Sequence, residues 1–142
     1  MAKPRILFLC IGNTCRSQMA EGFARAYGEG LVEIKSAGTS AFGEVNGLST
    51  ASMAERGIDI STQSSDQLSG DMLDWADVVV TLGCCRADEL CPVDFQGRKL
   101  DWPIDDPFGR SMDMMERVRD DIEVRVKGLL EELSLNAEGK ED

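Results

Sequence analysis

The sequence predicts an α/β fold of three layers, with a parallel sheet of about four strands flanked by helices. Two observations carry this. Short apolar runs alternate along the chain with segments of helical period. One of those runs, Val78 to Leu82, is apolar and β-branched almost throughout, as expected of a central strand covered on both faces. A chain of 142 residues built this way makes one domain with a single core.

The elements follow in order. Arg5 to Cys10 (RILFLC) reads as a buried strand, and Ser17 to Tyr27 as a helix with Met19, Phe23 and Ala26 on one side. Leu31 to Lys35 is a second strand. Leu48 to Arg56 is helical and stops at Gly57, which suits the left-handed position just past a helix end. A short helix from Leu68 to Trp75 leads into the Val78 strand, and Arg98 to Trp102 is the fourth. From Met112 to Leu135 the apolar residues Met115, Val118, Ile122, Val126, Leu129 and Leu133 recur at steps of three and four, the stripe of a helix docked on the sheet. The domain is thus expected to span residues 1–135, with 136–142 a polar, frayed C-terminal tail.

Bulk properties narrow the function. The formal net charge of −11 argues against nucleic acid or an anionic membrane as partner. The apolar run near the N-terminus is too short for a signal segment or a membrane span, so a cytoplasmic protein is expected. There are five cysteines and no histidine. Thiol–imidazole and serine–histidine catalysis are therefore excluded, and an odd cysteine count is unlike a structural disulfide framework. Zinc is not expected: Cys84, Cys85 and Cys91 lack a fourth ligand and paired Cys-x2-Cys spacing.

The sharpest motif is Cys10-Ile11-Gly12-Asn13-Thr14-Cys15-Arg16-Ser17, lying between a strand and a helix. A loop curling into a helix N-terminus turns successive amide N–H groups inward, which makes a cradle for an oxyanion. Gly12 and Asn13 tolerate the left-handed backbone of such a curl. Arg16 can grip two oxygens with its planar fork, and Cys10 at the base is surrounded by groups that favour a thiolate. Ser17 can donate to the same sulfur. Cys15 reads as a packed, inert thiol.

This loop, CIGNTCRSQMAEG, resembles the active-site loop of the low-molecular-weight protein tyrosine phosphatases and of the arsenate reductases that share their fold. The segments SAGTS from Ser36, GIDIS from Gly57 and DDPFG from Asp105 fall at the family's spacing, so the resemblance covers nearly the whole chain. It implies Cys10 as nucleophile, residues 11–17 as the oxyanion site, and Asp106, the residue before Pro107, as general acid. The nearby carboxylates Asp101 and Asp105 read as capping or solvating groups.

Between the two branches, the resemblance favours the thioredoxin-coupled reductases. Cys84 stands just past the end of the Val78 to Leu82 strand and Cys91 follows seven residues later, matching that branch's relay pair. A phosphatase has no use for them. Cys85 is a departure from the pattern, and Gly83 is a candidate hinge. Gln18 replaces the proline usual in the phosphatases, and Phe108 stands alone after Asp106-Pro107 where an aromatic pair would flank a phosphotyrosine. The implied activity is reduction of arsenate to arsenite through Cys10, Cys84 and Cys91, regenerated by thioredoxin or glutaredoxin, in a monomer. A phosphatase and a non-enzymatic thiol redox sensor are the alternatives. No cofactor is required, but the same branch binds potassium beside the cradle. Asn13, Glu21, Ser36, Ser64 and Asp66 match those positions, and serve equally well as a hydrogen-bond network bracing the loop.

Overall fold

The computed structural model describes residues 3–141. Its elements are β1 (Arg5–Cys10), α1 (Arg16–Tyr27), β2 (Glu33–Gly38), α2 (Gly47–Ala54), α3 (Gly70–Trp75), β3 (Val78–Leu82), α4 (Ala87–Leu90), β4 (Arg98–Trp102) and α5 (Met112–Glu141). The four strands form one parallel sheet in the order β2-β1-β3-β4.

Side chains of a strand alternate between the faces of its sheet, and β1 shows what that does here. Ile6 and Phe8 face a core built with Met19 and Phe23 of α1, Met53 of α2 and Met115, Ile122 and Val126 of α5. Leu7 and Leu9 face the opposite layer, with Leu73 of α3, Ala87 of α4, Val79 and Cys91. These are the three layers. Strand order reverses between β1 and β3, since β1 is followed by β2 on one side and β3 lies on the other. In open α/β sheets the crevice at such a switch point, beyond the carboxyl ends of the strands, is where ligands bind. Cys10 ends β1 and Leu82 ends β3.

Several boundaries differ from the sequence reading, α2 among them: it runs Gly47–Ala54, not Leu48–Arg56. The second strand is Glu33–Gly38, displaced towards the C-terminus from Leu31–Lys35, because it pairs residue for residue with β1 from Arg5↔Glu33 to Cys10↔Gly38. Leu31 is left exposed. The third helix starts at Gly70: Ser69 caps it by accepting from the Met72 N–H, and the Leu68 N–H is taken by the Gly38 carbonyl. The helical backbone of α5 continues past Leu135 to Glu141, into the segment read as a tail.

Asn46, not singled out from the sequence, caps α2 by accepting from the amides of Leu48 and Ser49. Gly57 has φ +74, and the Ile58 N–H returns to the Met53 carbonyl at 3.1 Å. That is the closing bond of a left-handed helix cap with glycine in its required place. On α5, Met115, Val118, Ile122, Val126 and Leu129 are all buried, and Leu133 packs against the same core. Among the described residues no helix is long and apolar enough to cross a membrane.

Candidate active site

The segment after β1 curls into the N-terminus of α1, and Cys10 is buried at its base. The Asn13 N–H donates to Cys10 Sγ at 3.2 Å, and Ser17 Oγ lies 2.9 Å from the same sulfur. Asn13 makes the tight turn, with φ 48, the one left-handed residue among the described non-glycines. Gly12 does not share that conformation, contrary to expectation. The glycine that the loop cannot do without is Gly38, where β2 ends: a Cβ there would sit 2.4 Å from the Ile11 carbonyl oxygen and 2.9 Å from the Asn13 nitrogen. The sequence showed it only as part of Ser36-Ala37-Gly38.

A second ring of contacts holds the loop. Asn13 Nδ2 donates to Ser17 Oγ at 2.6 Å and to Ser36 Oγ at 3.0 Å, while its Oδ1 accepts from the Asp66 N–H at 2.7 Å. Ser36 Oγ donates to Glu21, whose other oxygen accepts from Arg25 Nε at 2.8 Å. Ser64 Oγ donates to Asp66. The five residues matched to a potassium site are therefore engaged with one another, and Arg25 already supplies a cation to Glu21. Among the described residues no buried side-chain nitrogen or oxygen lacks a partner. Gln18, fully buried, adds bonds from Nε2 to the carbonyls of Asn13 and Ser64, both 2.8 Å. Arg25 was not singled out from the sequence, although it stands four residues after Glu21 on a helix, the spacing of an ion pair.

Arg16 is the first residue of α1 and only 4% exposed. Its Nη1 donates to the Leu82 carbonyl at 2.7 Å and approaches the Ile104 carbonyl at 3.3 Å. Its Nη2 lies 3.8 Å from Asp106 Oδ2. Asp106 is itself exposed, and its Oδ1 accepts from the Phe108 N–H at 3.0 Å. Asp105 is exposed and makes no such contact with Arg16. Asp101 accepts from Thr81 Oγ1 at 2.6 Å and from the Ala87 N–H at 2.9 Å, so it caps α4, as its capping reading expected.

Cys10, Arg16, Asp106, Phe42 and Phe108 line a cavity of about 200 Å³ at this switch point. That volume suits a small oxyanion. A larger groove, of about 560 Å³, runs along Arg25, Gly30 and Asp59 but carries no thiol. The mouth of the small cavity corrects one expectation: Phe108 is not alone, because Phe42 meets it edge-on with ring centroids 5.6 Å apart. The two are distant in sequence, so no local motif announces the pair.

Cys15 is buried, and burial pushes its thiol up to about 11, with a hydrogen bond to Ser49 acting in the opposite direction. The other thiols lie beyond β3. Gly83 has φ +79, and a Cβ there would fall 2.0 Å from the Ile104 carbonyl oxygen. Any other residue would have to displace that backbone. Cys84 follows, half-buried, with Sγ 3.8 Å from the carbonyl of Leu9, the residue before Cys10. In this structure Cys84 is disulfide-bonded to Cys85, not to Cys91. Cys91 is a free thiol at the other end of α4, 8% exposed, and burial pushes its pKa up. Cys91 is separated from the pair by α4, its N–H bonded to the Ala87 carbonyl at 2.9 Å.

Residues 5–139 match the model of the family described as low molecular weight phosphotyrosine protein phosphatase. The chain belongs to that family. Within it, this member is 44% identical over 130 residues to an arsenate reductase of Brevibacillus brevis, a match covering 91% of this chain and 96% of the relative. Its fold superposes with a TM-score of 0.83 on an arginine phosphatase from Geobacillus stearothermophilus, at 30% identity and 94% coverage of each chain. A thioredoxin-dependent arsenate reductase of Corynebacterium glutamicum gives a TM-score of 0.80 at 29% identity, over 94% of this chain and 63% of that one.

Proposed function

We propose that this family member is a cytoplasmic arsenate reductase working through a thiol relay. The observation that carries the reading is the position of Cys84, on the bend after β3 and against the carbonyl that precedes Cys10. A phosphatase needs no second thiol there. The 44% identity to an arsenate reductase over most of both chains supports the same branch.

Arsenate is held by the loop amides of residues 11–17 and by the Arg16 guanidinium, whose Nη1 is tethered while Nη2 faces the cavity with Asp106. Fixed dipoles and a charged fork aimed at the oxyanion stabilise it without reorganisation. Cys10 thiolate attacks arsenic, and Asp106 gives its proton to an oxygen that leaves as water. Cys84 thiolate then attacks Cys10 Sγ. The electrons of the sulfur–arsenic bond pass to arsenic, which departs as arsenite, and a Cys10–Cys84 disulfide remains. Cys91 attacks Cys84, frees Cys10 and leaves a Cys84–Cys91 disulfide for thioredoxin to reduce. In this reading a dithiol first opens the Cys84–Cys85 bond, and α4, which lies between Cys84 and Cys91, deforms to let their sulfurs meet, since disulfides need Cα atoms within about 7 Å.

The network of Asn13, Glu21, Ser36, Ser64 and Asp66 acts, in this reading, as a brace for the loop, with Arg25 in the place of an added potassium ion. A second activity is supported by the Phe42–Phe108 pair, which can flank the organic group of a phosphate ester.

The test is coupled NADPH oxidation with thioredoxin, its reductase and arsenate. Arsenate-dependent oxidation that disappears in Cys10→Ser is the expected result. No turnover with thioredoxin, glutaredoxin or small thiols would refute the proposal.

A further inference from the structure

Cys85 is the one half-exposed thiol that the relay leaves without a task. Its place is nevertheless well defined. Gly83, with φ +79 and no room for a side chain, turns the chain out of β3, and Cys84 and Cys85 lie on the same bend. In an extended segment they would point to opposite faces. Here the sulfurs of Cys84 and Cys85 are close enough to be bonded to each other. Both residues are partly open to solvent, and Cys84 Sγ lies against the Leu9 carbonyl beside the base of the cradle. Once reduced, they are two soft sulfur donors on one short bend, beside the place where trivalent arsenic is set free.

We propose that the reduced Cys84–Cys85 pair is a binding site for trivalent arsenic, the product of the reaction. Its biological sense rests on the arsenate-reducing reading; the binding itself needs no turnover. An external dithiol first opens the Cys84–Cys85 disulfide and leaves as its own cyclic disulfide. Arsenous acid, As(OH)3, then condenses with the two thiols: two As–S bonds form, two As–O bonds break, and two waters leave. Arsenic keeps one hydroxyl and stays trivalent. Soft thiolate ligands suit such a centre, and two on one short bend bind as a chelate. Charge makes the hand-over directional. The cradle with Arg16 favours the anionic substrate, whereas arsenous acid is uncharged near neutral pH and gains little there. It gains two As–S bonds one step away. Occupancy of the pair also takes Cys84 out of the relay, so accumulating product would slow its own formation.

The experiment uses the full chain with Cys10→Ser, which removes the nucleophile and any Cys10–arsenic–Cys84 bridge. After reduction with a dithiol and its removal, arsenite is titrated and followed by native mass spectrometry and by arsenic X-ray absorption. One arsenic per chain with two As–S bonds is expected. Adding Cys85→Ser should weaken binding on the order of 100-fold, the loss of chelation. Adding Cys91→Ser should leave it unchanged, and a thermal melt confirms that each variant is folded. Unchanged affinity in the Cys85 variant, loss in the Cys91 variant, or no binding at all each overturns the proposal. Wild-type arsenate turnover is measured separately: a protein that binds arsenite without reducing arsenate keeps the site and sinks the reductase reading.

Discussion

Arg16 Nη1 donates to the carbonyl of Leu82 at 2.7 Å, and this bond ties the anion-gripping side chain to the end of the strand that leads to Cys84. The guanidinium thus serves two masters: one nitrogen holds β3, and the other faces the cavity and Asp106. Lysine has a single charged point and cannot do both. Arg16→Lys should therefore lower kcat/KM for arsenate by roughly 10- to 100-fold, the worth of about 1.5–3 kcal/mol for a lost charged hydrogen bond. Steady-state kinetics against arsenate checks this, and an unchanged kcat/KM would deny Arg16 its place on the oxyanion.

Asp106→Asn removes a proton donor but leaves the loop amides and Arg16 in place. The expected result is a fall in kcat on the order of 100-fold with little change in KM. Asp105→Asn, altering an exposed carboxylate that has no contact with Arg16, should change neither parameter much. A larger effect at Asp105 would move the acid by one position.

Cys15 should be the slowest thiol to alkylate. Its pKa is pushed from 9.0 to about 11 chiefly by burial, so the folded state prefers the neutral thiol. The sign follows directly. Below pH 9.0 the group is protonated whether folded or unfolded, and its contribution to stability is fully present. As pH rises from there towards about 11 the unfolded chain ionises first, and that contribution is lost. Iodoacetamide labelling with peptide mass mapping at pH 8 should leave Cys15 unmodified in the reduced, folded protein, and denaturant should expose it. Rapid labelling of Cys15 in the native state would contradict its burial.

Replacing potassium by sodium in the assay buffer should leave kcat/KM unchanged, because Arg25 already neutralises Glu21 and the network is closed. Arg25→Gln should lower activity and make what remains sensitive to potassium. Strong potassium dependence of the unaltered protein would restore the ion to the brace.

The sheet was largely legible because its strongest signals are local. β3 begins and ends where its apolar run does, and the stripe on α5 faces the core as its period requires. The second strand was displaced because its ends are set by pairing with β1, which no single segment reveals. At the site, Cys10, Arg16 and Asp106 were visible as a motif and do line one cavity. What anchors them was not visible. The carbonyls of Leu82 and Ile104 that hold Arg16 carry no side-chain signature, and Phe42 reaches Phe108 only through the fold. Adjacent cysteines were plain to read, but the close approach of the Gly83 bend before them to the distant Ile104 carbonyl was not.

The relay is the central claim, and one measurement addresses it most directly. Cys91→Ser is reduced with a dithiol, freed of reductant and given one equivalent of arsenate, and its disulfides are then mapped by peptide mass spectrometry. With Cys10, Cys84 and Cys85 intact but the last thiol missing, the cycle should stop after one release of arsenite. A Cys10–Cys84 bridge, or the Cys84–Cys85 bridge formed when Cys85 resolves it, is the predicted product. A Cys10–Cys85 bridge would keep the relay but assign its second thiol to the neighbour. Continued arsenate turnover with no bridge to Cys10 or Cys84 would contradict the three-thiol account.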